Sequence, residues 1–150
     1  LAKFKFGLQR VLEIKEKFED EKKNSYAEQK KKLEEENLKL EKLKVDMEQI
    51  RTERNSASGE SMKIRELSYY GNYIRGLSSM IEVQNTRVEE KEQTVESARE
   101  ELLEATKDRR ILENLKLRSL EQYKYELKQE EDKLTDQFVS YSSSKKTRED

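Results

Sequence analysis

The 150-residue chain contains no proline, cysteine, histidine or tryptophan. Each absence closes off something. Without cysteine there is no disulfide framework, and without cysteine or histidine there is none of the usual transition-metal chemistry. Without histidine the most common general base is missing, and no nucleophile elbow or phosphate-binding glycine loop compensates for it. Without proline nothing forces a long helix to stop. There are only 4 glycines, and no apolar run approaches the 18 residues that a membrane-spanning helix needs.

Apolar residues make up 32% of the chain and charged residues 43%. A multilayer core needs closer to half apolar material, so what is present must be used along a line. Formal net charge is −1. The basic run Lys30-Lys31-Lys32 is followed at once by Glu34-Glu35-Glu36, so no net basic face is offered to nucleic acid. The opening Leu1-Ala2-Lys3-Phe4-Lys5-Phe6 is too charged for a signal peptide. Because the first residue is Leu, an initiator Met is expected to have been removed, replaced or trimmed.

The apolar residues that remain are spaced regularly. Leu67, Ile74, Ile81, Val88, Val95 and Leu102 recur every seven residues, and Tyr70, Leu77, Gln84, Lys91, Ala98, Ala105 and Leu112 form a second line three residues on. This 3–4 alternation is the seam of a coiled coil. A first segment carries Phe4, Leu8, Val11 and Phe18, then Tyr26, Leu33, Leu40 and Met47, with a one-residue shift of phase between Phe18 and Tyr26. Leu43 and Ile50 add a second line near its end.

The small residues Asn55-Ser56-Ala57-Ser58-Gly59 are suited to a reversal of direction, with Gly59 ending one helix and Ser58 capping the next. Gly71-Asn72 is a second weak point. The fold expected is all-α: two long helices in an antiparallel coiled-coil hairpin. The first helix covers about 4–55, a turn or tip about 56–72 includes a candidate short helix from Glu60 to Tyr70, and the second helix covers about 72–141. The apolar-free stretch 142–150 is expected to be disordered. A turn centred on Gly59 sets Phe4 near Leu112; a tip helix moves it toward Tyr123. Either way some of Leu120, Leu127, Leu134, Phe138 and Tyr141 overhangs, and this stripe is a candidate surface for a partner or for self-association.

Two surfaces can carry function. Near the tip, Leu43, Met47 and Ile50 can meet Tyr69, Tyr70, Tyr73, Leu77 and Met80, which reads either as a small core or as a partner site, since Tyr and Met suit adaptable interfaces. Gln84, Lys91, Arg109 and Lys116 are polar where the seam expects apolar residues. They either fix register or weaken the seam where a partner binds.

The motifs Phe4-x-Phe6-x-Leu8-x-x-Val11-Leu12, Tyr73-Ile74-x-x-Leu77 through Gln84, Ala105-x-x-x-Arg109-x-Ile111-Leu112-Glu113-x-Leu115-Lys116 and the polar end around Asp136 resemble, in order and spacing, the bacterial flagellar export family FliJ. The resemblance implies a non-enzymatic coiled-coil stalk of the type III flagellar export apparatus, without cofactor. It further implies that the stalk sits in the hexameric export ATPase FliI and promotes its assembly, contacts the cytoplasmic domain of the export gate FlhA, and escorts export chaperones. It places the protein in the cytoplasm, peripheral to the inner face of the membrane through its partners, in flagellum biogenesis and chemotaxis. By motif position the gate-binding residues would be Leu43, Met47, Ile50, Tyr73, Leu77, Met80 and Gln84. The ATPase-ring-binding residues would be Phe4, Leu8, Val11, Arg109, Leu112, Lys116 and Tyr123. The alternatives are a generic coiled-coil adaptor and a structural tether.

Overall fold

The computed structural model describes residues 3–57 and 63–149. They form two helices, α1 (Gln9–Ala57) and α2 (Ile64–Glu149), with no strand among the described residues. The two helices pack against each other antiparallel, and the chain divides into two compact units. Unit 1 combines residues 1–19 with 105–150, and unit 2 is residues 20–104.

The helix ends differ from the sequence expectation in three places. Phe4 lies ahead of α1, in a non-helical lead-in, rather than in its first turn. Gly7 disfavours helix there, and the chain enters α1 by a turn in which the Gln9 N–H donates to the Phe6 carbonyl at 3.1 Å. Ser58 and Gly59, read as the cap and reversal, lie outside the described residues, as do the first residues of the candidate tip helix. The rest of that segment is not a separate helix: α2 starts at Ile64 and runs through Gly71-Asn72 without a break. A glycine within a helix costs only about 1 kcal/mol, and Tyr70, Ile74 and Leu77 around it pack onto α1. Finally, 142–149 is helical rather than disordered. Extending an existing helix is far cheaper than nucleating one, and Lys146 and Arg148 complement the dipole of the last turn.

Among the less exposed positions of α1 in unit 2, Lys22, Tyr26, Gln29, Leu33, Glu36, Leu40, Leu43, Met47 and Ile50 follow an unbroken 3–4 alternation. Opposite them run Tyr70, Ile74, Leu77, Ile81, Gln84, Val88, Lys91, Val95, Ala98 and Leu102. Met47, Ile50 and Leu77 form the core cluster, with Leu43, Tyr70, Ile74 and Ile81 packed against it. Further along, the seam turns polar. Lys22 bridges Glu101 at 3.0 Å, and the buried Gln29 Oε1 has no hydrogen-bond partner among the described residues.

Unit 1 is built around Leu12, Ala105 and Leu112, which are 2%, 2% and 9% exposed. Here the expected stripe is displaced by one residue. Val11 and Phe18 are largely exposed, while Leu12, Lys15 and Glu19 hold the seam. No shift of phase is needed between Phe18 and Tyr26, because Glu19 already precedes Tyr26 by one heptad. On α2 the second line moves instead. Beyond Leu112 it continues not at Ser119, seven residues on, but at Leu120 and Leu127, the first residues of the stripe expected to overhang, which are half-buried. A four-residue step from Lys116 to Leu120 is the local unwinding expected of a stutter.

Candidate functional site

The sequence singles out two sets of residues, and the structure divides each between interior and surface. In unit 2, Leu43, Met47, Ile50 and Leu77 belong to the core and its packed margin. Gln84 is also buried. Its Nε2 donates to the main-chain carbonyl of Glu36 at 2.9 Å and to the Glu36 carboxylate at 2.5 Å. Backbone carbonyls recur along α1, but one heptad either side of Glu36 stand Gln29 and Leu43, so the contact with the Glu36 carboxylate makes Gln84 a register pin. The Gln84 donor, followed by the Lys39 and Arg87 charges, holds the Glu36 carboxyl below its ordinary range against a smaller opposing effect of desolvation.

Tyr73 and Met80 lie outside this interior, 45% and 55% exposed. Each precedes a seam residue by one position (Ile74 and Ile81). With Tyr69, Gly76 and Val83 they form a line at 4–3–4–3 spacing along the flank of α2. Tyr69 stacks on Tyr73 with ring centroids 6.3 Å apart and meets Tyr70 edge-on at 5.8 Å. The same flank borders a groove of about 330 Å³ lined by Leu43, Ser79, Met80, Val83, Gln84 and Arg87. Val83 went unnoticed in the sequence because it lies off both heptad lines. The signal was present in its three-residue spacing from Met80.

In unit 1, Leu112 is interior and Arg109 is committed to ion pairs. The Arg109 Nε donates to the Glu19 carboxylate at 2.8 Å, and its Nη1 reaches the Glu113 carboxylate at 2.6 Å. Glu19 is only 4% exposed. The two carboxylates, Glu19 first, raise the Arg109 guanidinium above its ordinary pKa. Lys15 approaches Asp108 at 3.7 Å. Lys116 is half-buried. Phe4 packs on Tyr123 with ring centroids 5.6 Å apart, which is the register the sequence reading attached to a long tip. Lys3, Lys5, Arg118 and Glu126 surround this contact.

Leu8 and Val11, expected in the seam with Phe18, are surface residues, 43% and 39% exposed. Ile14 and Phe18 on α1, and Ile111 and Leu115 on α2, are also exposed. Val11, Phe18 and Leu115 each precede a seam position by one residue, as Tyr73 and Met80 do in unit 2. In an antiparallel pair, equivalent flanking positions of the two helices lie on the same side. Unit 1 therefore has its own apolar flank. Periodicity alone hides it, because Val11 to Phe18 is the same seven-residue step as Leu12 to Glu19.

Both units present exposed apolar side chains along a flank beside the seam. No group of three or more acidic, cysteine or histidine side chains among the described residues could hold a metal ion. No described helix is long and apolar enough to cross a membrane.

Comparison with known proteins agrees with the sequence resemblance. A family model described as "Flagellar FliJ protein" matches residues 4–148. No curated protein and no solved structure matches the chain.

Proposed function

Starting from the fact that the chain belongs to the flagellar FliJ protein family, and so is a component of the flagellar export apparatus, we propose that it is a non-enzymatic stalk linking the export ATPase to the export gate. In this reading unit 1 engages the FliI hexamer through its exposed flank around Leu8, Val11 and Phe18, with Phe4 and Tyr123 beside it. Unit 2 engages the cytoplasmic domain of FlhA through Tyr73, Met80 and the neighbouring groove. Leu43, Met47, Ile50, Leu77 and Gln84 hold the shape of the second surface, and Arg109, Leu112 and Lys116 that of the first. The protein would work in the cytoplasm and reach the membrane's inner face only through its partners.

One observation carries this reading. Each seam is already filled, yet large apolar side chains stand exposed in register beside it. Such lines are not needed for pairing α1 with α2. They cost solubility, so an occupant is the economical explanation.

A stalk shifts an ATPase ring between states only if it binds those states with different affinity. Titrating the chain into the export ATPase is therefore expected to promote hexamer formation or raise turnover. Phe18→Asp is expected to weaken that response while leaving helicity unchanged, because Phe18 is not in the seam. No effect of the unmodified chain on assembly or turnover at saturation would remove the stalk role. Escort of export chaperones is a second reading, favoured by the uncovered end of α2, and would be lost on truncation after Tyr125.

A further inference from the structure

Beyond Leu127, the seam of α2 continues with no described residue of α1 packed against it. Positions 128–141 are all exposed, with Leu134 at 66%, Phe138 at 72% and Tyr141 at 68%. The alternation nevertheless remains regular through Leu127, Glu131, Leu134, Phe138, Tyr141, Lys145 and Arg148. This stripe is acidic at its start, apolar in the middle and basic at its end, and so is complementary to its own reverse.

We propose that the α2 segment from Leu127 to Arg148 pairs antiparallel with the same segment of a second copy of this chain. The register follows from the side chains. Phe138 sits against Tyr141 of the second copy, Leu134 beneath the aliphatic stem of Lys145, and Glu131 opposite Arg148, each contact made twice by the two-fold axis. Parallel pairing would set Glu131 on Glu131 and Lys145 on Lys145. Moving the antiparallel register by one heptad would place Tyr141 on Glu131 and Arg148 on Lys124. Of these three arrangements, only the first avoids like charges and an aromatic ring on a carboxylate in the layers from Glu131 to Arg148. The segment spans about 32 Å, and its interface is small, so the dimer is weak and reversible.

The unmodified full chain tests this by sedimentation over a concentration series. A monomer–dimer equilibrium is expected, and Phe138→Glu abolishes it with circular dichroism preserved upstream. Glu131→Arg weakens it roughly three- to tenfold, and adding Arg148→Glu restores it. As the chain has no native cysteine, a mixture of Glu131→Cys and Arg148→Cys chains gives a mixed disulfide dimer, and neither variant alone does. A mass independent of concentration overturns the proposal, as do like-with-like cross-links, which would mean parallel pairing. If the unmodified chain stays monomeric and Phe138→Glu loses only its response to the export ATPase, that ATPase and not a second copy occupies the stripe. The sedimentation experiment needs no partner, so its failure leaves the stalk reading untouched.

Discussion

Unit 2 and unit 1 solve the same pairing problem with different chemistry. In unit 2, near Met47, Ile50 and Leu77, the seam is apolar on both sides and burial supplies the attraction. In unit 1 the equivalent central positions are Glu19 and Arg109, joined at 2.8 Å between the small apolar layers of Leu12, Ala105 and Leu112. An apolar layer accepts neighbouring registers with modest loss. A buried carboxylate does not, because any slip leaves it without its guanidinium. The contrast teaches that this chain obtains adhesion mainly from one unit and alignment mainly from the other, with Gln84 adding a second alignment point in unit 2.

Substitutions sharpen that difference. Leu77→Ala should have the largest effect, since it opens a cavity in the apolar cluster that Leu77 forms with Met47 and Ile50. A loss of about 2–4 kcal/mol in chemical denaturation is expected. Arg109→Ala should follow, at about 1–3 kcal/mol, because it takes the guanidinium away from the buried Glu19 carboxylate. The sign then separates the two regions. Replacing Glu19 and Arg109 together with Leu should recover most of the loss and permit sliding, visible as heterogeneous cross-links between α1 and α2. If the double replacement were as damaging as Arg109→Ala, unit 1 would depend on its charges for stability rather than alignment. Next, Gly71→Ala should stabilise unit 2 by about 0.5–1 kcal/mol. The residue has no positive φ, and a Cβ there meets nothing within 4 Å.

The smallest effect concerns pH. Glu36 has a carboxyl pKa lowered from its ordinary 4.5, mainly by the Gln84 amide. Its contribution is therefore fully present above that ordinary value and is lost as pH falls through the lowered one. Thermal melts of Gln84→Leu, compared with the unmodified chain, should lose this one component of acid sensitivity and keep the rest. An unchanged acid limb would mean that the amide does not stabilise the carboxylate.

Much of the fold was legible because heptads are a one-dimensional code. The two α2 lines from Tyr70 to Leu112 are the lines the structure buries. Where the reading failed, a local rule lost to a cooperative one. Gly71 looked like a break and 142–149 like a frayed tail, but a helix already propagating passes both. In α1 the rule that apolar residues go inside chose Val11 and Phe18 over Leu12 and Glu19. The structure reverses it because Glu19 has a dedicated partner ninety residues away in Arg109, which no local pattern reveals. For the candidate surfaces, sequence grouped residues that are neighbours along a helix but did not separate the faces they occupy. Tyr73, Leu77 and Met80 are adjacent in any helical reading. Only the packing of Leu77 onto Met47 and Ile50 separates the interior one from its two exposed neighbours.

That separation is the claim on which the functional reading depends, and one paired measurement addresses it. Thermal stability and affinity for the cytoplasmic domain of the export gate should be measured on the Tyr73→Ala/Met80→Ala chain. The expected result is stability within about 0.5 kcal/mol of the unmodified chain, with affinity lowered at least tenfold, about 1.4 kcal/mol or more. A chain that melts early yet binds the gate undiminished would place these side chains in the seam and leave the exposed flank without a role.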